Sequence, residues 1–153
     1  MSDSLQVQIE TAIVSSIRDL ALVGLASENV QRQLVPLDRD LVLTALPAVR
    51  VGPQGREAYD GGTNTADDIA YPVQVLIVAR TNQDLSAGSF GDAWLLWREQ
   101  IARAFHHQRL PSVSDVYDCR VEPQEIVVPS AWLQQNLFVS GLLVWCTARR
   151  LRM

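Results

Sequence analysis

The residues best suited to chemistry are two cysteines, Cys119 and Cys146, and the histidine pair His106-His107. A cysteine next to a base is a candidate nucleophile, but no histidine lies close to Cys119 in the sequence. Two histidines that bind one metal from a helix need a spacing such as i, i+4, and neighbouring helical residues point in different directions. Neither cysteine has the Cys-x-x-Cys partner of a structural zinc site. We therefore predict no catalytic residue, no cofactor-binding residue and no metal ligand.

The redox state of the two cysteines depends on where their segments lie. Both residues fall in stretches that predict β-strands. A disulfide between Cys119 and Cys146 requires those strands to be neighbours in register. The alternative, which we favour, is two buried free thiols in a reducing compartment.

The most polar stretch, residues 53–68 (PQGREAYDGGTNTADD), contains Asp60, Asp67 and Asp68. These carboxylates lack the Asp-x-Asp-x-Asp-Gly spacing of a calcium loop. The stretch has too few apolar residues to fold alone, and long connections within a domain are often functional. We predict a long, flexible, acidic hairpin loop that becomes ordered only against a partner.

Length and composition indicate one domain that spans residues 1–153. The net charge of −4 and the pI of about 5.1 do not suit a specific nucleic-acid partner. All 13 cationic residues are arginines, which suits bidentate ion pairs at interfaces; the alternative, which we favour, is GC-rich codon usage. Asp3, Glu10 and Asp19 near the beginning argue against a signal peptide, and we expect no membrane partner.

The last apolar run, residues 137–150, predicts the strand around which the chain is organised. Neither of its faces is polar, so we expect a helix on one face and a helix or a neighbouring subunit on the other. The remaining pattern predicts helices at 3–24 and 90–107 and strands at 41–52, 69–81 and 116–128. The α-β-β-α-β-β order indicates an α+β fold, in which two main helices pack on a four-stranded, mainly antiparallel sheet.

Trp132 lies in the connection before the last strand. Tryptophan is enriched at interface hot spots, so this residue either anchors a protein contact or plugs the end of the sheet.

The end of the chain carries Arg149, Arg150 and Arg152, which follow directly from the apolar part of the last strand. This segment is either a frayed, solvated tail or a basic edge. A basic edge would meet the acidic loop around Asp60, Asp67 and Asp68 of the next copy in a head-to-tail assembly.

The arrangement resembles that of a known group of proteins. The segments that carry the likeness are VQVLIVART (73–81), WLLWREQIARAF (94–105), YDCRVEPQEI (117–126) and WLQQNLFVSGLLVWCTARR (132–150). This order of a strand, a helix with an aromatic face, a strand with Val-x-Pro and a final apolar strand resembles the tail terminator or tail completion (neck) proteins of tailed bacteriophages. The likeness covers most of the chain and is one of arrangement.

The resemblance implies a structural virion protein without enzymatic activity. Such a protein forms a homo-oligomeric ring, commonly a hexamer, at the head-proximal end of the phage tail. Its partners are copies of itself, the tail tube protein and the head-tail connector protein, and it is assembled in the host cytoplasm. The alternative is a small α+β enzyme or ligand-binding domain that uses Cys119, His106, His107 and the acidic loop.

Overall fold

The computed structural model describes residues 3–34, 47–80, 92–131 and 137–151. Several predicted features lie outside these residues: the beginning of the strand at 41–52, the beginning of the helix at 90–107, Trp132 and Arg152. The described residues form an α+β fold with a mixed six-stranded sheet. Its elements are α1 (Leu5–Asp19), a 3-10 helix (Ser27–Asn29), β1 (Val30–Arg32), β2 (Ala48–Pro53), β3 (Ala58–Gly62), β4 (Ala66–Arg80), α2 (Asp92–Phe105), β5 (Val116–Pro123) and β6 (Leu137–Leu151).

The sheet is built on the pairing of its two longest strands, β4 and β6. They are antiparallel over their full lengths, from Ala66 opposite Leu151 to Arg80 opposite Leu137. The strand order is β1-β2-β4-β6-β5, and β3 also pairs with β4. β1 runs parallel to β2, and the other pairs are antiparallel.

The α+β class is confirmed, but the four-stranded sheet and the α-β-β-α-β-β order are wrong. The two unexpected strands are β1 and β3. β1 has three residues and buries only Val30, so it leaves almost no periodic signal in the sequence. β3 has the polar sequence AYDGG, and four of its five residues are exposed. Both strands are held by main-chain pairing with a neighbour rather than by their own apolar pattern.

Within residues 53–68, residues 58–62 and 66–68 belong to β3 and β4, which a tight turn joins, and this corrects the expectation of one long flexible loop. β3 pairs with the first residues of β4, and the amide of Thr63 donates a 2.8 Å hydrogen bond to the carbonyl of Ala66. Gly62 enters this turn with a φ of +145°, and a Cβ there would overlap the Ala66 carbonyl. Main-chain hydrogen bonds therefore order this polar stretch within one copy of the chain.

The main core lies between the sheet and the two helices, which both pack on one face. The helices contribute Ile9, Ile13, Ile17, Trp97 and Ile101, all of which are buried. Ser4 caps α1 by accepting a hydrogen bond from the amide of Val7, as the predicted N-terminus requires. α1 ends at Asp19 instead of residue 24, and Ala21 then adopts a φ of +48°.

The opposite face of the sheet, which we call the back face, is covered only in part by the described chain. A second apolar cluster covers one end of this face and includes Leu137 and Val139 of β6, packed with Val128 and Ala131. Further along β6 the cover ends: Trp145 and Thr147 are half-buried and Arg149 is exposed. Among the described residues, the back face of the first half of β6 is therefore covered, whereas that of the second half is not.

Candidate interface on the back face of the sheet

Near the β3 hairpin, the back face contains a depression whose floor is a row of small side chains. Ala58, Ala70 and Thr147 are successive register partners across β3, β4 and β6, and Thr147 is opposite Asp118 of β5. The depression has a volume of about 540 Å³, and we call it the sheet groove. Its lining residues are Ala58, Asp60, Ala70, Asp118, Arg120, Trp145 and Thr147.

One wall of the sheet groove is the row that contains Trp145 and Arg120, which are register partners on β6 and β5. The indole Nε1 of Trp145 donates a 2.7 Å hydrogen bond to Oε2 of Glu122. This bond fixes the orientation of the ring beside the groove. The wall therefore combines a rigid aromatic surface with charged groups.

The row on the other side of the floor contains a bidentate ion pair between Arg149 and Asp68. Arg149 Nε donates to Asp68 Oδ1 at 2.8 Å, and Arg149 Nη2 donates to Asp68 Oδ2 at 3.1 Å. The Arg149 guanidinium also lies 6.0 Å from the centre of the Tyr117 ring. Residues 145 and 149 are four apart on one strand, so the two walls are about 13 Å apart.

The ion pair shifts the pKa values of its members in the directions that its geometry requires. The hydrogen bond from Arg149 lowers the pKa of Asp68 below its ordinary value, and the same bond raises the pKa of Arg149. Desolvation, followed by the nearby Asp68 charge, raises the pKa of Tyr117. The row is therefore a preformed pair of opposite charges.

The structure brings the predicted acidic and basic interface residues together within one copy. Asp68 is opposite Arg149 and Asp67 is opposite Arg150, because β4 and β6 are register partners over their whole lengths. This corrects the expectation that the acidic segment and the basic end form two separate patches. A one-dimensional sequence does not show that the two charged segments are antiparallel neighbours.

Two of the predicted interface residues remain apart, on opposite faces of the sheet. Asp60 lines the sheet groove on the back face. Arg150 is exposed and lines a depression of about 350 Å³ on the helix side, with Tyr59, Tyr71 and Leu5. The side chains of Arg149 and Arg150 point to different faces because they are adjacent residues of one strand.

On the back face, a chain of hydrogen-bonded glutamine side chains lies between the sheet groove and the second apolar cluster. Gln74 Nε2 donates to Gln124 Oε1 at 3.0 Å, and Gln124 Nε2 donates to Gln54 Oε1 at 3.2 Å. Gln124 lies over Gly141, where a Cβ would be 2.8 Å from Gln124 Oε1. This feature was not predicted, and the only signal for it in the sequence is a glycine within the long apolar run.

Arg98 joins α2 to the irregular end of β5. Its Nη1 donates to Ser140 Oγ at 2.7 Å and to the Gly141 carbonyl at 2.6 Å, and its Nη2 donates to the Gln124 carbonyl at 2.8 Å. Burial lowers the pKa of this guanidinium below its ordinary value. This residue was also not predicted; it follows directly after Trp97 on the core side of α2.

The histidines cover the outer edge of β5, the last strand in the sheet. The amide of His107 donates to the Cys119 carbonyl at 2.7 Å, and the Cys119 amide donates to the Gln108 carbonyl at 2.9 Å. Nδ1 of His106 accepts a 3.0 Å hydrogen bond from the amide of Val121. These bonds occupy main-chain groups that another strand would otherwise use.

The residues of the enzyme alternative are close together, but their side chains do not converge. The Cys119 thiol is fully buried and faces Cys146, with the two sulfur atoms 3.3 Å apart. The rings of His106 and His107 are 4.0 Å apart, because α2 ends at Phe105 and His107 adopts a φ of +58°. The His106 imidazole therefore contacts β5 from its edge, while the Cys119 thiol points into the core.

Comparisons with known proteins found no match: no protein-family model and no curated protein matches this chain. Among the residues that the structure describes, no helix is long and apolar enough to cross a membrane. Within the same residues, no group of three or more His, Cys, Asp or Glu side chains is arranged to hold a metal ion.

Proposed function

We propose that the chain is a structural subunit of a phage tail terminator or tail completion ring. In this role, copies of the chain form a homo-oligomeric ring, a hexamer by the resemblance, at the head-proximal end of the tail. The ring ends the tail tube and joins it to the head-tail connector protein. It is assembled in the host cytoplasm and remains in the virion.

The observation that carries this proposal is the partly uncovered back face of the sheet. β6 is apolar on both faces, and the part of the chain that the structure describes covers the back face only as far as the glutamine chain. Beyond that point lie the half-buried Trp145 and the exposed Tyr117 and Leu151. Apolar groups exposed beside a sheet face are typical of a surface that meets another protein.

A second set of exposed apolar residues supports a subunit with more than one contact surface. Leu95 and Leu96 are exposed on α2, and Ile126 and Val127 are exposed in the segment after β5. Arg98 links these two segments by donating to the Gln124 and Glu125 carbonyls. A terminator subunit needs separate surfaces for its neighbours in the ring, for the tube and for the connector.

The proposal is tested with purified protein and assembled tail tubes. We expect rings by electron microscopy and a mass that is a multiple of the 17.0 kDa subunit by light scattering. We also expect tubes that carry a ring at one end and stop growing there. A matched pair of variants separates a surface effect from unfolding: Thr147→Arg fills the sheet groove, whereas Thr11→Arg places the same side chain on the exposed face of α1. A chain that stays monomeric and also ignores tail tubes contradicts the proposal.

The alternative function, a small enzyme or ligand-binding domain, has one structural feature in its favour. A groove of about 430 Å³ lies between α2 and β5, and its lining includes Ala102, His106, Val121 and Pro123. Combined substitution of Cys119, His106 and His107 would abolish such a function. Ring formation and tube binding that survive this combination argue against the alternative.

A further inference from the structure

We propose that the sheet groove of one copy receives the Arg150 side chain of a second copy. The inference deepens the proposed ring and rests on it, because it names the contact between neighbouring subunits. In this contact the groove is incomplete in a single chain, and the second copy supplies the missing cation.

The chemistry of the groove suits a guanidinium group. A flat cationic group stacks favourably on an indole ring, and the Trp145 ring is held in place by Glu122. Carboxylates then provide acceptors at its edge. Asp60 and Asp118 line the groove from β3 and β5, and within the described residues neither side chain has a hydrogen bond or an ion pair.

The balance of charge around the groove favours a cation. Two carboxylates, those of Asp60 and Asp118, line it against the single guanidinium of Arg120, and a third, that of Glu122, accepts a hydrogen bond from the wall residue Trp145. The Asp68-Arg149 row adds one charge of each sign and therefore does not change this balance. The floor of two alanines and one threonine leaves room for a long side chain within the 540 Å³ depression.

Arg150 is a cation of this chain that can fill the groove of a neighbour. It is exposed, and it lies on the helix side of the sheet, opposite the face that carries the groove. A contact between two different faces is heterologous, which is the type that builds rings. Arg149 cannot serve, because Asp68 of the same chain already binds it through two hydrogen bonds.

The test exchanges the charges on the two sides of the contact. One variant carries Asp60→Arg with Asp118→Arg, and the other carries Arg150→Glu. Each alone places like charges together, and we expect each to weaken self-association more than about tenfold. Arg109→Glu and Asp19→Arg are matched controls, because both residues are exposed and lie outside the groove lining. Sedimentation at increasing protein concentration measures the association, and circular dichroism verifies that each variant is folded.

Mixing the two defective variants gives the decisive result. In a ring in which the two variants alternate, the basic groove of the first variant receives Glu at position 150 of the second. The acidic groove of the second variant receives Arg150 of the first. We therefore expect the mixture to form rings with equal numbers of both variants by native mass spectrometry. We also expect all three substitutions in one chain to restore association.

Three outcomes overturn the inference. In the first, either variant alone associates as well as the wild type; in the second, the two variants are folded but do not associate when mixed. In the third, the wild-type chain never self-associates, either alone or on tail tubes. The last outcome contradicts the proposed function as well. Rings that are rescued by mixing but do not bind tail tubes would uphold the contact and contradict the tail role.

Discussion

Cys119 and Cys146 are register partners on β5 and β6, and their sulfur atoms are 3.3 Å apart. The amide and carbonyl of Cys119 bond to Gln108 and His107 at the outer edge of β5, so this residue is not hydrogen-bonded to β6. In antiparallel sheets, pairs of this type bring the Cα atoms to about 4.5 Å, which is within the range that a disulfide requires. Both thiols are free and buried on the helix side of the sheet. The two cysteines thus lie on neighbouring strands in register, as a disulfide requires, and both are free thiols.

Oxidation of this pair should yield an intramolecular disulfide and a more stable protein. A thiol oxidant such as diamide removes two electrons and two protons from the pair and is itself reduced to a hydrazine. The bond would link residues 27 apart in sequence. A loop of that size is worth about 3–4 kcal/mol of stability, or an increase of about 10 °C in Tm.

The rate of this oxidation should depend on opening of the core, because both thiols are fully buried. We expect slow reaction in buffer and faster reaction in a low concentration of urea, measured by intact mass without reductant. Cys119→Ser is the control and should form no intramolecular bond. Rapid oxidation of the native chain, or an oxidised form that melts at a lower temperature, would refute this account.

Stability should fall in mild alkali because of Cys146. The hydrogen bond with Cys119 and then burial raise the pKa of Cys146 above its ordinary value of 9.0. The folded state therefore retains a proton that the unfolded state loses as the pH rises through that ordinary value. The contribution is complete below the unfolded pKa and declines above it by about 1.4 kcal/mol per pH unit.

Urea unfolding at steps from pH 7.5 to 9.5 would detect the beginning of this decline, since stability should be constant at the lower end and fall as the pH passes the ordinary value of 9.0. The pKa of Tyr117 is also raised above its ordinary value of 10.0, so Tyr117 adds to the decline only as the pH approaches that value at the upper end of the interval. The Cys146→Ala variant should lose the alkaline slope, although it is less stable at neutral pH. An identical slope in that variant would show that another group is responsible.

The sequence predicts the parts of this fold that depend on apolar periodicity. The sequence predicts β6 at 137–150, and the structure has it at Leu137–Leu151. The prediction is accurate because an apolar run rich in β-branched and aromatic residues strongly favours a strand. The helices were predicted at the correct places for the same reason: Ile9, Ile13 and Ile17 form a stripe of helical spacing. β3 was missed because its order comes from main-chain bonds to β4, which leave no apolar signature.

The candidate interface was harder to predict because it depends on register. Asp60 and Asp118 lie on strands that are not neighbours and share one groove only because β4 and β6 separate them in register. The same register pairs Asp68 with Arg149, which removes both from the head-to-tail contact that the sequence suggested. The sequence therefore indicated which charged residues belong to the candidate interface, whereas their contact partners became known only from the structure.

The Asp68-Arg149 pair predicts a specific change in titration. Replacing Arg149 with Gln removes both hydrogen bonds to Asp68, so the pKa of Asp68 should rise toward its ordinary value of 3.8. In the wild type, the lowered pKa of Asp68 stabilises the folded state at pH values above the ordinary pKa. This stabilisation is lost as the pH falls through the lowered pKa of the folded state. Carboxyl NMR titration would measure the change. Arg150→Gln is the matched control and should leave the Asp68 titration where it is; an equal shift in both variants would contradict the pairing.

Gly141 should be intolerant of a side chain because Gln124 occupies its place on the back face. A Cβ at position 141 would lie 2.8 Å from Gln124 Oε1 and 3.3 Å from Leu76 Cδ2, so Gly141→Ala would displace the glutamine chain. We expect a loss of about 1–3 kcal/mol in the free energy of unfolding, measured by urea denaturation. Gln124→Ala in the same chain should recover part of that loss, because it removes the closest atom, although its own Cβ remains 3.3 Å away. A double-mutant cycle with no coupling between the two positions would show that Gln124 does not lie over Gly141 in solution.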